Sequence, residues 1–163
     1  MYIGFGSPGV PRPAEVLQVV LRLQRQTGLR LVLSFPTQTL AGADLPPSIF
    51  PLQAVPHAWL FPRCAACLHH GGAGTTAAGV LAGIPAVIAP LASDQFYWGE
   101  RLAALGVAPT PIPQRSLSAD KLAQALQLVF FDPSFGENAR QLAQTVRRED
   151  GVGAAVELIR RLV

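Results

Sequence analysis

The sequence has little charge, few cysteines and no long apolar run, and each shortage excludes a class of protein. Only 14% of the 163 residues are charged and 50% are hydrophobic, which excludes a disordered chain. The basic residues are dispersed and include a single lysine, so the basic stripe with interleaved aromatics that marks a nucleic-acid binder is absent. Two cysteines are too few for a disulfide framework.

The apolar stretches are short and are broken by glycine, proline or arginine. None reaches the roughly 18 residues that a membrane-spanning helix needs, so we expect no transmembrane segment. The first residues lack the basic region and long apolar segment of a signal peptide. We therefore expect a cytoplasmic location.

The two cysteines, Cys64 and Cys67, are spaced as C-x-x-C just before a histidine pair. A redox pair usually lies at a helix N-terminus, whereas Cys67 enters a strand-like stretch. A zinc site that joined these cysteines to His69 and His70 would need both faces of a strand to converge. Core packing is therefore favoured, and no metal site is predicted.

Short strand-like segments alternate with helical ones along the whole chain. This pattern predicts an α/β fold, a Rossmann-like, doubly wound parallel sheet with helices on both faces, forming one domain over residues 1–163. Predicted strands are 2–5, 29–35, 49–55, 64–69 and 85–89, a loop is predicted at 36–48, and predicted helices cover 14–26, 75–82, 94–105, 117–131 and the stretch from 133. The last helix carries an apolar stripe of Val152, Val156, Ile159 and Val163.

Three loops follow predicted strands, at 6–9, 71–74 and 90–95. In parallel sheets, ligands bind beyond the carboxyl ends of the strands, so these loops should gather at one binding edge.

The first loop and the end of the strand before it, Gly4 to Gly9, match the dinucleotide pattern G-x-G-x-x-G. A dinucleotide site also needs an acidic residue about 20 positions later for the ribose, and no acid occurs between Glu15 and Asp44. We therefore reject the NAD interpretation. Two interpretations of this segment stay open. It is either an ordinary turn, or a turn whose backbone N–H groups face an anion together with the Ser7 hydroxyl.

The second loop, His69 to Thr76 (HHGGAGTT), is more specific. Its glycines let the backbone approach a ligand, and the helix that follows directs free N–H groups into the same space. His70 can donate a ring N–H to a phosphate oxygen, and the hydroxyls of Thr75 and Thr76 add donors. This predicts a diphosphate cradle without the lysine of a P-loop. Because side chains alternate along a strand, His69 should pack internally.

These residues resemble the donor-binding half of nucleotide-sugar glycosyltransferases with the GT-B fold, and so do residues 77–85, Pro90–Gly99, Val55–Pro62 and the closing 148–151. Within that class the chain is most similar to sterol and natural-product glucosyltransferases of the UDP-glycosyltransferase superfamily. The resemblance runs over essentially the whole chain.

The resemblance implies a role for each matching position. The donor would be a UDP-sugar, with UDP-glucose favoured, or a dTDP-sugar, and no further cofactor is implied. The implied contacts are diphosphate at Ser7, His70, Gly72, Ala73, Gly74 and Thr75, base at Val55, Pro56 and His57, and sugar hydroxyls at Asp94 and Gln95. Asp94 is also a plausible helix N-cap, and Trp98 is better explained by packing than as a sugar platform.

Two departures from the family pattern matter. Plant members have a ribose-binding glutamate where this chain has Ala78. The family's general base and acceptor site lie on an N-terminal lobe, which we expect in cis or in trans, so no catalytic residue is assigned here. Full enzymes of this kind invert the anomeric centre of the sugar and act on a lipid, sterol or other small-molecule hydroxyl. A non-catalytic scaffold or partner subunit of a split enzyme, and half of an epimerase-like enzyme, stay open as alternatives.

Overall fold

The structure, a computed structural model, describes residues 1–6 and 10–162. A parallel sheet forms from five strands: β1 (Tyr2–Gly4), β2 (Leu31–Ser34), β3 (Ile49–Pro51), β4 (Cys67–His69) and β5 (Ala86–Ile88). Their spatial order is β3-β2-β1-β4-β5, and every neighbouring pair is parallel. The predicted Rossmann-like parallel sheet is thus confirmed.

Helices connect the strands and cover both faces of the sheet. They are α1 (Pro13–Thr27), α2 (Thr37–Leu40), α3 (His57–Leu60), α4 (Ala73–Ala82), α5 (Gln95–Ala104), α6 (Ala119–Phe131), α7 (Pro133–Val146) and α8 (Gly151–Arg160). Within residues 1–6 and 10–162, no helix is long and apolar enough to cross a membrane.

The core is divided by the sheet, because successive strand residues point to opposite faces. On one face Ile3 and Leu68 pack against α1 and α6. On the other face Cys67 and Ile88 join residues of α3, α5 and α7. Every residue of β1, β4 and β5 is buried, which explains why these strands are short apolar runs without an exposed polar face.

Local signals in the sequence mark several helix ends. Gly28 ends α1 in the left-handed conformation, at φ +65°. The Ser118 hydroxyl accepts a hydrogen bond from the N–H of Lys121, and the Asp132 carboxylate accepts one from the N–H of Ser134. These caps place the starts of α6 and α7 within a few residues of the predicted positions.

Other details differ from the sequence predictions. The strands are shorter than predicted, and the stretch predicted as loop at 36–48 contains the one-turn helix α2. The stripe of the last helix is exposed rather than packed: Val152 is 78% exposed and Ile159 is 60% exposed, while Val163 lies outside the described residues. Helical periodicity shows that a face is apolar, but it does not show which element covers it.

Candidate functional site

The strand order places a crevice between β1 and β4. The chain leaves β1 toward β2 and returns on the other side to add β4, and ligands of open α/β sheets bind at such a switch point. Gly4, which ends β1, lies beside His69, which ends β4. The two loops that carry the sequence motifs therefore begin next to each other.

His70 is wedged between these two loops. A Cβ atom on Gly6 would lie 2.4 Å from Cε1 of His70, and a Cβ on Gly72 would lie 2.4 Å from its Nε2. Both distances are far below any real contact, so glycine at both positions makes room for the imidazole. His70 as a whole is 7% exposed. Gly6 was part of the predicted turn, but its contact with His70 was not foreseen.

The N-terminus of α4 opens beside His70. Gly72 is the N-cap and supplies no side chain to cap the helix. The first-turn N–H groups of Ala73, Gly74 and Thr75 precede the first helical hydrogen bond, which the N–H of Thr76 donates to Gly72. Ala73 and Gly74 are exposed. An imidazole and a group of free amides at the positive end of a helix form a site suited to an anion.

The two threonines of the motif have different environments. Thr75 is half-buried, whereas Thr76 is 4% exposed and its Oγ1 has no hydrogen-bond partner within the described part of the chain. The donor role expected of Thr76 therefore stays a prediction. Residues 75 and 76 are successive on a helix and point in directions about 100° apart, which accounts for their different environments.

Burial lowers the pKa of His70, and the nearby Asp94 carboxylate opposes this shift. The free site thus holds a neutral imidazole at pH 7, which can donate through one nitrogen. Nδ1 is buried and has no partner among the described residues. A bound diphosphate would favour the protonated ring, because an opposite charge stabilises the charged form.

The loop after β5 brings Asp94 and Gln95 to the same edge. The Asp94 carboxylate accepts a hydrogen bond of 3.0 Å from the indole Nε1–H of Trp98, and it does not cap α5. Asp94 occupies the N-cap position of α5, as suggested, but its side chain makes no capping hydrogen bond within the described residues. Trp98, expected only to pack, orients this exposed carboxylate.

Gln95 is 8% exposed, and its Oε1 accepts hydrogen bonds from the N–H groups of Leu91 and Ala92 at 2.8 Å and 3.3 Å. One end of the amide therefore shapes the loop. The hydrogen bonds from Leu91 and Ala92 use only the Oε1 atom of this amide, and they leave its Nε2 group unused.

A cavity of about 400 Å³ lies at the carboxyl ends of β2 and β3. Its lining includes the three residues predicted to bind the base, together with residues that the sequence did not single out; the full lining is Tyr2, Ser34, Leu52, Gln53, Ala54, Val55, Pro56 and His57. The His57 ring stacks on Phe61, with centroids 4.4 Å apart, and meets Tyr2 edge-on at 5.5 Å. Burial lowers the pKa of His57.

The structure thus brings the predicted diphosphate and sugar residues to one crevice and lines the neighbouring cavity with the predicted base residues. Ser7 lies outside the described residues, so its predicted contact stays a prediction. Tyr2 and Ser34 were missed as cavity residues, although Ser34 ends β2, where parallel sheets commonly hold ribose ligands. The position of Ser34 at the end of β2 was the only feature of the sequence that could have indicated a cavity residue there.

Both cysteines are buried and free. Burial raises the pKa of the Cys67 thiol to about 12, so it is inert at neutral pH. Among the residues that the structure describes, no group of three or more His, Cys, Asp or Glu side chains is placed to hold a metal ion.

Comparison with known proteins decides the family. A sequence profile of the erythromycin biosynthesis protein CIII-like C-terminal domain matches residues 14–152. The chain belongs to this family. It is also 37% identical over 163 residues to a sterol 3-beta-glucosyltransferase of Arabidopsis thaliana, a match that covers 99% of this chain and 26% of that protein.

Solved glycosyltransferases share the fold. The glycosyltransferase of kitacinnamycin superposes with a TM-score of 0.85 at 26% identity, over 98% of this chain and 42% of its own. VinC, solved in complex with dTDP, superposes with a TM-score of 0.82 at 26% identity, over 98% of this chain and 41% of its own. The chain therefore has the architecture of the C-terminal domain of GT-B glycosyltransferases, as its motifs implied. It spans about a quarter of the curated relative and about two fifths of these structures.

Proposed function

We propose that this glycosyltransferase C-terminal domain binds a nucleoside diphosphate sugar, with the diphosphate held by His70 and the first turn of α4. The observation that carries the proposal is the His70 imidazole, fixed between Gly6 and Gly72 beside uncapped helix amides. An imidazole and amide donors match the oxygens of a diphosphate. Ser7 would contact the same group from the loop after β1.

The base would enter the cavity beside Val55, Pro56 and His57, and the sugar hydroxyls would contact Asp94 and Gln95. The cavity lies at the same sheet edge as the diphosphate crevice, as a pyrimidine nucleotide requires. Similarity to a sterol glucosyltransferase supports UDP-glucose as the donor. The dTDP complex of VinC makes dTDP the alternative to be tested.

Transfer would need an acceptor lobe, in cis or in trans, which supplies the general base and binds a sterol, lipid or other small hydroxyl compound. The base removes the hydroxyl proton, the oxygen attacks C1 of the sugar with inversion, and the C1–O bond to the diphosphate breaks. Negative charge then grows on the phosphate oxygens, where His70 and Thr75 donate hydrogen bonds and lower the barrier. We propose that the 163-residue chain alone binds donor but transfers no sugar, and that it works in the cytoplasm.

Titration calorimetry of the chain with UDP, UDP-glucose and dTDP tests the proposal. We expect micromolar-to-millimolar dissociation constants, a loss of affinity for every nucleotide in His70→Ala, and a loss in Asp94→Ala that is specific to the sugar-bearing donor. Asp44→Ala, which changes an exposed carboxylate in another loop, is the matched control and should bind like the parent.

A folded chain that gives no heat with any of the three nucleotides would overturn donor binding. Copurification with a partner polypeptide in that case would favour the scaffold function. Sugar transfer or epimerisation by the chain alone would contradict the need for a second lobe.

A further inference from the structure

His69 is the least accessible polar side chain next to the proposed site. It is 0% exposed, and its Nδ1 accepts a hydrogen bond of 3.0 Å from the backbone N–H of Gly71, two residues later. The diphosphate-binding His70 lies between these two partners in sequence. The hydrogen bond between Gly71 and His69 therefore closes a short ring of atoms that includes the backbone of His70.

The protonation state of His69 is fixed by its surroundings. Burial lowers its pKa to about 3, and the neighbouring His70 and His57 act in the same direction. The ring is thus neutral at any working pH. Since Nδ1 accepts from Gly71, the proton lies on Nε2, which has no partner within the described residues.

Gly71 has little freedom to move from this arrangement. Its φ is +88°, a conformation that side chains rarely adopt. A Cβ there would lie 2.8 Å from the backbone oxygen of Gln95 and 2.9 Å from Cγ2 of Ile88. Gly71 is therefore held between the start of α5 and the ring of His69. Its conformation sets the direction in which the chain passes from His70 to the N-cap of α4.

We propose that His69 is a positioning residue whose Nδ1 holds Gly71 in its left-handed turn, so that His70 and the first turn of α4 present their donors to the diphosphate. This inference rests on the proposed donor binding. His69 also ties the turn to β5, because its backbone oxygen accepts from the N–H of Ala89. It acts through its neighbours and touches no substrate atom.

A purely structural role for His69 predicts something different. If the ring only filled the core, an apolar replacement would serve better than a polar one. If Nδ1 is the functional atom, a short side chain with an acceptor at the same position should replace it. Asn meets this condition, because its Oδ1 readily accepts from the N–H two residues later. Leu has almost the same shape as Asn and has no acceptor.

The test compares His69→Asn with His69→Leu in the 163-residue chain. We expect His69→Leu to have the higher Tm but to bind UDP about tenfold more weakly than His69→Asn, since one hydrogen bond that orders the loop is lost. Amide hydrogen exchange by NMR should show Gly71 protected in the parent and in His69→Asn, and unprotected in His69→Leu. Val129→Ala, a core change in α6, controls for destabilisation alone. It should leave the UDP affinity and the protection of the Gly71 amide unchanged.

Equal UDP affinity of the two variants, or a protected Gly71 amide in His69→Leu, overturns the positioning role. The exchange experiment needs no ligand, so it tests His69 even if the parent chain binds no nucleotide. Absence of binding by the parent would refute the proposed function, whereas parallel exchange in the two variants would refute only the role of His69.

Discussion

The loops after β4 and β5 reach the same edge of the sheet but are held in different ways. The β4 loop is packed: His69 and His70 are buried, and the glycines on either side of His70 leave no spare space. The β5 loop is exposed from Leu91 to Asp94, and hydrogen bonds from backbone amides to one buried amide group help to shape it.

The difference follows from the chemistry that each loop would serve. A diphosphate is charged, and its recognition gains from donors that are fixed before binding. Sugar hydroxyls are neutral and vary in orientation between sugars, so the loop proposed to contact them can be held by a few hydrogen bonds. Ser93, at φ +56°, is the one non-glycine residue in the described ranges with positive φ, and it lies in this second loop.

The largest effect is expected from Gly72→Ala, which fills the space beside His70. Gly72 has φ −61°, so alanine fits the backbone there, and the nearest atoms that its Cβ would meet belong to His70. We expect about a 100-fold loss of UDP affinity by calorimetry, because the displaced ring loses a hydrogen bond to a charged group. Gly42→Ala, where a Cβ would meet nothing within 4 Å, is the control. Unchanged affinity in Gly72→Ala would show that the packing is not needed.

The packed loop should also make the protein sensitive to acid. His69 titrates near pH 6.5 when unfolded and at about 3 when folded, so below pH 6.5 protons bind the unfolded chain preferentially. The stabilisation is complete above pH 6.5 and is lost as the pH falls, by about 2 kcal/mol between pH 6.5 and 5. Urea unfolding at both pH values should show this loss in the parent, with a smaller loss in His69→Asn. Parallel losses would contradict the assignment to His69.

Two changes at Gln95 separate loop positioning from sugar binding. Gln95→Glu keeps an oxygen that accepts from Leu91 and Ala92, whereas Gln95→Met removes this acceptor from their N–H groups. We expect Gln95→Met to lower the free energy of unfolding by about 1 kcal/mol, as for a typical hydrogen bond, and Gln95→Glu to lower it less. In Gln95→Glu the affinity for UDP-glucose should fall several-fold while that for UDP stays. If both variants have the same stability, the loop does not depend on Oε1.

The smallest effect is expected from Trp98→Phe, which removes one N–H and keeps an aromatic ring. The Asp94 carboxylate then loses its 3.0 Å partner and becomes free to rotate. We expect affinity for UDP-glucose to fall about threefold, since a surface hydrogen bond contributes little, and affinity for UDP to stay unchanged. Equal losses for both ligands would place Trp98 in general packing instead.

The sequence predicted the fold class, the gathering of loops at one sheet edge and the location of the glycine-rich turn that opens α4. Alternating apolar runs and helical periodicity are local signals, and Gly28, Ser118 and Asp132 mark helix ends by local chemistry. The environments of Thr76, Asp94 and the last helix could not be predicted. Each depends on neighbours that the chain reaches only after folding.

By itself the sequence determined that a parallel sheet would form and that residues 69–76 would follow a strand and open a helix, because these depend on short-range pattern and glycine chemistry. Only the tertiary structure decided that Gly6 and Gly72 enclose the His70 ring, since they are 66 positions apart in the chain and meet only because β1 pairs with β4. Few charges and no long apolar run narrowed the classes of protein, but the pairing of β1 with β4 at the switch point brought the residues of the candidate site together.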